Sequence, residues 1–314
     1  MNKVSFKNKQ ISSLGFGCVK LNTHFRTSAA LLNLETAFSY GITHFDTARM
    51  YGFGLSEKIL GEFIKGKRDK VTITTKFGIN PPSLKILNST YVNFLKLGLR
   101  GINFSRKNLG FEKIDLCKFQ KFSIKEADES FHHSLRLLQT DYIDFLLMHE
   151  ADLSIANNPE LLHFLENKKQ QGKLHYFGIG TNVNNLQTND STISDKHDVI
   201  QYNTSFPTDI PNIIFPKEKL IINYNIFKNH NQLKLIFEST NFLKDYKKET
   251  GIDLPKNPFA LIIDFHKQFE NRVTLFTSNK NENIKETISL WDMPKIGLTL
   301  KDYYAVFIKL QEYI

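Results

Sequence analysis

The chain has 314 residues, of which 41% are hydrophobic and 23% charged, so it can bury a sizeable core. No run of about 18 apolar residues occurs, which excludes a membrane-spanning helix. The net charge of +9 would suit an anionic partner. However, it comes without a compact Lys/Arg run or a nucleic-acid-binding motif, so neither nucleic acid nor membrane is expected as a partner.

Residues 1–17 contain no apolar stretch of the secretory kind. Cys18 and Cys117 lie far apart, which gives neither a disulfide framework nor metal-ligand spacing. Their use fits a reducing compartment, so a cytoplasmic protein without a metal site is expected.

Short apolar runs alternate with helical patterns along the chain. SSLGFG (12–17) reads as a strand, followed by a helix over 28–41 that ends at Gly41. THFDT (43–47) is a second strand with its helix over 56–66, and VTITTK (71–76) is a third. Residues 123–138 form a helix with Ser123 as N-cap and Glu126 three residues on, a capping-box pattern. DYIDFLLMH (141–149) is the fourth strand, and the helix over 159–172 has Pro near its start and Gly at its end. Strands follow over 174–180, 198–203, 220–225 and 272–278, with helices over 233–251, 258–269 and 281–291. Eight strands, each followed by helical or loop material, predict a closed (β/α)8 barrel, a TIM barrel of the α/β class formed by residues 1–314 as a single domain.

Residues 79–122 interrupt this rhythm. They carry eight basic residues against Glu112 and Asp115, and they are too long for an ordinary loop. Because they follow the third strand, they are expected to emerge on the active-site face as a lid or substrate-recognition insertion, and they suggest an anionic or sugar-derived substrate.

Asp46, Tyr51, Lys76 and His149 each sit at or just past the end of a predicted strand. A barrel closes such ends around one cavity. There, a buried Lys76 ammonium needs an anion, and Asp46 can supply it. The cation is expected to lower the phenol pKa of Tyr51 and make its proton available near neutral pH. His149 can donate to a carbonyl oxygen. The set reads as a general acid beside an electrophilic pocket for a carbonyl group. No G-x-S-x-G elbow is present, and His132 and His133 occupy adjacent helical positions that do not share a face.

The motifs LGFG (14–17), GITHFDTARMYG (41–52), LSEKILGEFI (55–64), TITTKFG (72–78), DYIDFLLMH (141–149), GKLHYFGIGTN (172–182), VIQYN (199–203) and TSNKNENIKETI (277–288) resemble the aldo-keto reductase superfamily in order and over nearly the whole chain. The resemblance implies a catalytic tetrad of Asp46, Tyr51, Lys76 and His149. It also implies NADP(H) or NAD(H) bound without a Rossmann domain, which agrees with the absence of G-x-G-x-x-G after a strand.

In the family, positions matching Thr181, Asn182 and Gln201 hold the nicotinamide carboxamide, and an aromatic at the position of Tyr224 stacks on the ring. The adenosine end falls on the segment containing Thr277, Ser278, Asn283 and Thr287. NADPH-specific members often carry Lys and Arg where Thr277 and Asn283 stand, and Lys280 is the nearby cation here, so NADPH preference is weakened and NADH or dual use stays open. The turn Tyr224-Asn225-Ile226-Phe227 also departs from the family's pyrophosphate-contacting turn. The expected function is NAD(P)H-dependent reduction of an aldehyde, ketone or sugar carbonyl by a small-molecule oxidoreductase. The alternative is a cofactor-binding regulatory subunit with little catalysis. Oligomeric state is not readable from the sequence.

Overall fold

The structure, a computed structural model, describes residues 1–21, 27–81, 120–186, 193–207 and 215–313. Eight parallel strands close into a barrel: β3 (Leu14–Gly17), β4 (His44–Asp46), β5 (Thr72–Phe77), β6 (Ile143–His149), β7 (Leu174–Thr181), β8 (Val199–Asn203), β9 (Leu220–Tyr224) and β10 (Arg272–Phe276). β10 pairs with both β9 and β3, which completes the ring. All eight correspond to runs expected from the sequence.

β6 shows how a wholly apolar run is divided by the period of two along a strand. Phe145 and Leu147 belong to a cluster inside the barrel, with Tyr176, Val199, Ile222 and Val273. Leu146 and Met148 pack outward with Phe131 and Leu161 of the surrounding helices. The helix Ser56–Ile64 lies close against Ile124–Leu138, because a Cβ at Gly61 would stand 2.3 Å from the Leu137 carbonyl oxygen.

Four features were not expected. A hairpin of β1 (Lys3–Phe6) and β2 (Lys9–Ser12) precedes the barrel, and its Val4, Phe6 and Ile11 join the interior cluster. Its two short strands carry only these three apolar anchors, too few for periodicity to register. The segment expected as one helix over 233–251 is two, His230–Ser239 and Phe242–Thr250. The break lies at Thr240, whose hydroxyl accepts from Phe242 N at 3.1 Å and donates to the Ile236 carbonyl. A further helix, Leu300–Leu310, begins at a capping box formed by Thr299 and Asp302. Ser123 caps Ile124–Leu138 as expected, but the Glu126 carboxylate turns to Lys121 at 3.4 Å, so the reciprocal half of that capping box is not made.

The insertion leaves and re-enters at one point, at the C-terminal end of β5. Ile79 bridges Gln120, and Lys121 N donates to the Gly78 carbonyl at 2.7 Å. Gly78 has φ +105°, and a Cβ there would meet the Phe122 ring at 2.2 Å. Residues 82–119, and with them the expected lid, lie outside the described residues.

Candidate active site

Alternation along the strands sets the site. In β4, His44 lies within the barrel and Asp46 follows two residues later. In β5 the same face runs Thr72, Thr74, Lys76, and in β6 it runs Phe145, Leu147, His149. Gln201 follows Val199 in β8, and Tyr224 follows Ile222 in β9. Each strand thus ends its interior face on a polar side chain. Tyr51 comes from the 3-10 turn Tyr51–Gly54 just beyond β4. Asp46, Tyr51, Lys76, His149, Gln201, Tyr224 and Thr277 share the wall of one cavity of about 360 Å³ at this end of the barrel.

Lys76 Nζ donates to Asp46 Oδ1 at 2.6 Å, to the Thr47 carbonyl at 2.9 Å and to Tyr51 Oη at 3.4 Å. The second oxygen of Asp46 accepts from Gln201 Nε2 at 2.6 Å. The ammonium also lies 4.9 Å from the centre of the Tyr51 ring, and that ring meets the His149 imidazole edge-on at 5.7 Å. Lys76 and Asp46 are 2% and 3% exposed, so each charge depends on the other.

The electrostatics differ from the expectation. Burial first, then Asp46, Glu150 and Cys18, hold the Tyr51 phenol well above its ordinary value of 10.0. These effects outweigh the Lys76 ammonium at 3.4 Å, because the pocket desolvates the phenolate and the carboxylates repel it. Tyr51 therefore keeps its proton. His149 is held well below 6.5 by burial and by Lys76, so it is neutral, and its Nδ1 is buried without a partner among the described residues.

The residues expected at the cofactor divide. Tyr224 and Thr277 face the cavity, and Thr277 Oγ1 is buried and unpartnered among the described residues. Gln201 also faces it, with its amide nitrogen committed to Asp46. Thr181 and Asn182, at the end of β7, both hold Asn185: Thr181 Oγ1 accepts from Asn185 Nδ2 at 2.9 Å, and Asn182 Oδ1 accepts from Asn185 N at 3.1 Å. Ser278 is buried and closes a turn with Lys280. On the helix Asn281–Asp292, Asn283 is exposed and Thr287 buried.

Two polar groups at the site escaped the sequence reading. Glu150, next to His149, lines the cavity. Glu57 is fully buried and holds the strand ends from behind, accepting from Arg49 at 3.0 Å and from Thr75 Oγ1 at 2.7 Å. A Glu in the first turn of a helix reads as an ordinary dipole partner, so nothing in the sequence marked Glu57. For Glu150 the one signal was its position after a strand-end His.

The aldo/keto reductase family model matches residues 13–206. The chain belongs to this family. It is 30% identical over 179 residues to an uncharacterized oxidoreductase, YqkF, of Bacillus subtilis, a match covering 57% of this chain and 48% of that protein. It is also 30% identical over 175 residues to L-galactose dehydrogenase of Arabidopsis thaliana, covering 54% of this chain and 44% of the relative. The matched stretches thus span less than half the length of these curated relatives. An aldo/keto reductase of Klebsiella pneumoniae, solved in complex with NADP and acetate, shares the fold with a TM-score of 0.61 and 15% identity. That likeness covers 98% of this chain and 96% of that one.

Proposed function

We propose that this chain is an NAD(P)(H)-dependent oxidoreductase of a small carbonyl or hydroxyl compound, with Tyr51 as its general acid. The observation that carries this reading is the chain of contacts from Asp46 through Lys76 to Tyr51 Oη, beside a neutral His149, at the head of one cavity. Membership of the family and the dehydrogenase named among its relatives support it.

The cavity fits a dinucleotide. The Tyr224 ring and Thr277 line its wall, Gly17 leaves backbone there, and Lys20 and Lys228 add positive charge suited to phosphates. When bound, the nicotinamide supplies or takes up the hydride. Tyr51 holds the transferable proton at Oη, and Lys76 steadies that oxygen as its charge changes. Asp46 keeps Lys76 charged and in place, with Gln201 fixing the far side of the carboxylate. The neutral His149 can donate an N–H to the substrate oxygen and orient it toward Tyr51.

The test is consumption of NADPH or NADH with a panel of aldehydes, ketones and aldoses, run alongside Tyr51→Phe. Turnover by the wild type that collapses in the variant supports the reading. Cofactor that binds but is consumed with no member of the panel would sink it.

A further inference from the structure

Glu150 is the second carboxylate of this cavity, and the proton chemistry above does not use it. Its backbone is held in the left-handed region, φ +54°, a conformation a non-glycine residue adopts at a cost. Hydrogen bonds fasten it from both sides: Glu150 N donates to the Gly180 carbonyl at 2.6 Å, and the Glu150 carbonyl accepts from Gln120 Nε2 at 2.8 Å. This clamp directs the side chain to the cavity wall rather than to solvent.

The carboxylate there is incompletely satisfied. Oε1 lies 3.2 Å from Tyr224 Oη, but that hydroxyl also lies 3.2 Å from the Thr181 carbonyl and has one proton to give. Oε2 makes no hydrogen bond among the described residues, and no ion-pair partner for Glu150 occurs among them. Burial raises the carboxyl above its ordinary value, while the Tyr224 hydrogen bond and Lys76 pull it down. Its free lone pairs stay open to the cavity, where a donor on a bound molecule can reach them in place of water.

We infer that Glu150 is a specificity-determining residue, which accepts a hydrogen bond from a hydroxyl group of a neutral hydroxylated carbonyl substrate and turns anionic substrates away. This rests on the oxidoreductase reading of the same cavity. A hydroxyl beside the reacting carbon supplies the missing donor. A carboxylate or phosphate in that place would face Glu150 across a poorly solvated space. A cationic substrate would find Glu150 but would share the cavity with the Lys76 ammonium. Glu150 thus opposes the anionic substrate suggested by the basic insertion at its own part of the cavity, while Lys20 and Lys228 line another.

The experiment measures equilibrium binding of three small ketones to the full chain with oxidised cofactor present, so that none can be reduced. Hydroxyacetone and butanone differ by a hydroxyl in place of a methyl, and pyruvate carries the charge. Saturation-transfer NMR titration should place hydroxyacetone at least about tenfold tighter than butanone and than pyruvate in the wild type. Glu150→Leu should bring hydroxyacetone and butanone within about twofold of each other. Glu150→Gln, whose amide oxygen still accepts, should keep the hydroxyl preference and narrow the gap to pyruvate.

Equal binding of all three ketones by the wild type overturns the inference, and so does a folded Glu150→Leu variant that keeps the preference. If the Leu variant does not fold, an unchanged pyruvate gap in Glu150→Gln overturns it equally. Failure of the oxidoreductase reading is separate. It appears as reduced cofactor left unconsumed with hydroxylated carbonyl compounds, and it leaves these binding ratios untouched.

Discussion

Lys76 and Asp46 form an ion pair of 2.6 Å in which both partners are almost wholly out of solvent. Removing one end of such a pair leaves the other charge buried, at a cost of about 3–5 kcal/mol. The two ends are not equivalent. Lys76→Met leaves the Asp46 carboxylate with Gln201 alone. Asp46→Asn leaves Lys76 an amide oxygen and the Thr47 carbonyl. Thermal unfolding and turnover should therefore both rank the Met variant as the more damaged. A more severe loss in Asp46→Asn would reverse the assigned roles.

Tyr51→Phe removes the proton and keeps the ring that meets His149. Cofactor affinity should stay close to wild type, while carbonyl reduction falls by about two orders of magnitude or more. Fluorescence titration of the cofactor and steady-state turnover measure the two halves separately. A variant with wild-type turnover would remove Tyr51 from the chemistry.

Thr277 and Asn283 bring no charge to the segment expected to meet the adenosine ribose, and Lys280 is the exposed cation of its turn. Preference for NADPH over NADH is expected to stay below about a hundredfold, or under about 3 kcal/mol. Paired titrations of the two cofactors check this. A preference of several thousandfold would mean that another cation grips the 2′-phosphate.

His44 lies inside the barrel with Nδ1 2.9 Å from Thr72 Oγ1 and Nε2 3.3 Å from Thr74 Oγ1. Burial lowers its pKa from 6.5 to about 4, against the opposing pull of Asp46 and Asp144 and with a smaller push from Lys76. Its contribution to stability is complete above the unfolded value of 6.5. As pH falls from there, the unfolded chain takes up a proton that the folded chain refuses, and about 3 kcal/mol is lost by pH 4. His197, also at about 4, and His266, at about 3, add to the same limb. Urea midpoints measured across this range should fall with acid, and His44→Asn should make the slope shallower between pH 6.5 and 4. An unchanged slope would show that His44 is protonated in the folded state.

The barrel was legible because its strands are apolar runs bounded by turn residues, and β6 is the plainest of them. The four polar strand-end residues were legible because each follows such a run. Glu57 and Glu150 were not, since their importance comes from what other strands bring to them: Arg49 and Thr75 in one case, Tyr224 and Gly180 in the other. The Tyr51 phenol was misjudged because a sequence shows the nearby lysine but not the burial or the carboxylates that outweigh it. The helix break at Thr240 rests on one hydroxyl hydrogen-bonding its neighbours' backbone, a choice that local pattern leaves open.

The β1–β2 hairpin rests on residues drawn from β6, β7, β8, β9 and β10, and it is tied to them by Lys7–Asp198, Lys9–Asp144 and Tyr176–Asn8. Its seat exists only when strands more than a hundred residues downstream have assembled. Such distant contacts form slowly, because long loops must close before they are rewarded. A hairpin near the beginning of the sequence thus has nowhere to dock until the far strands of the barrel have come round to meet it.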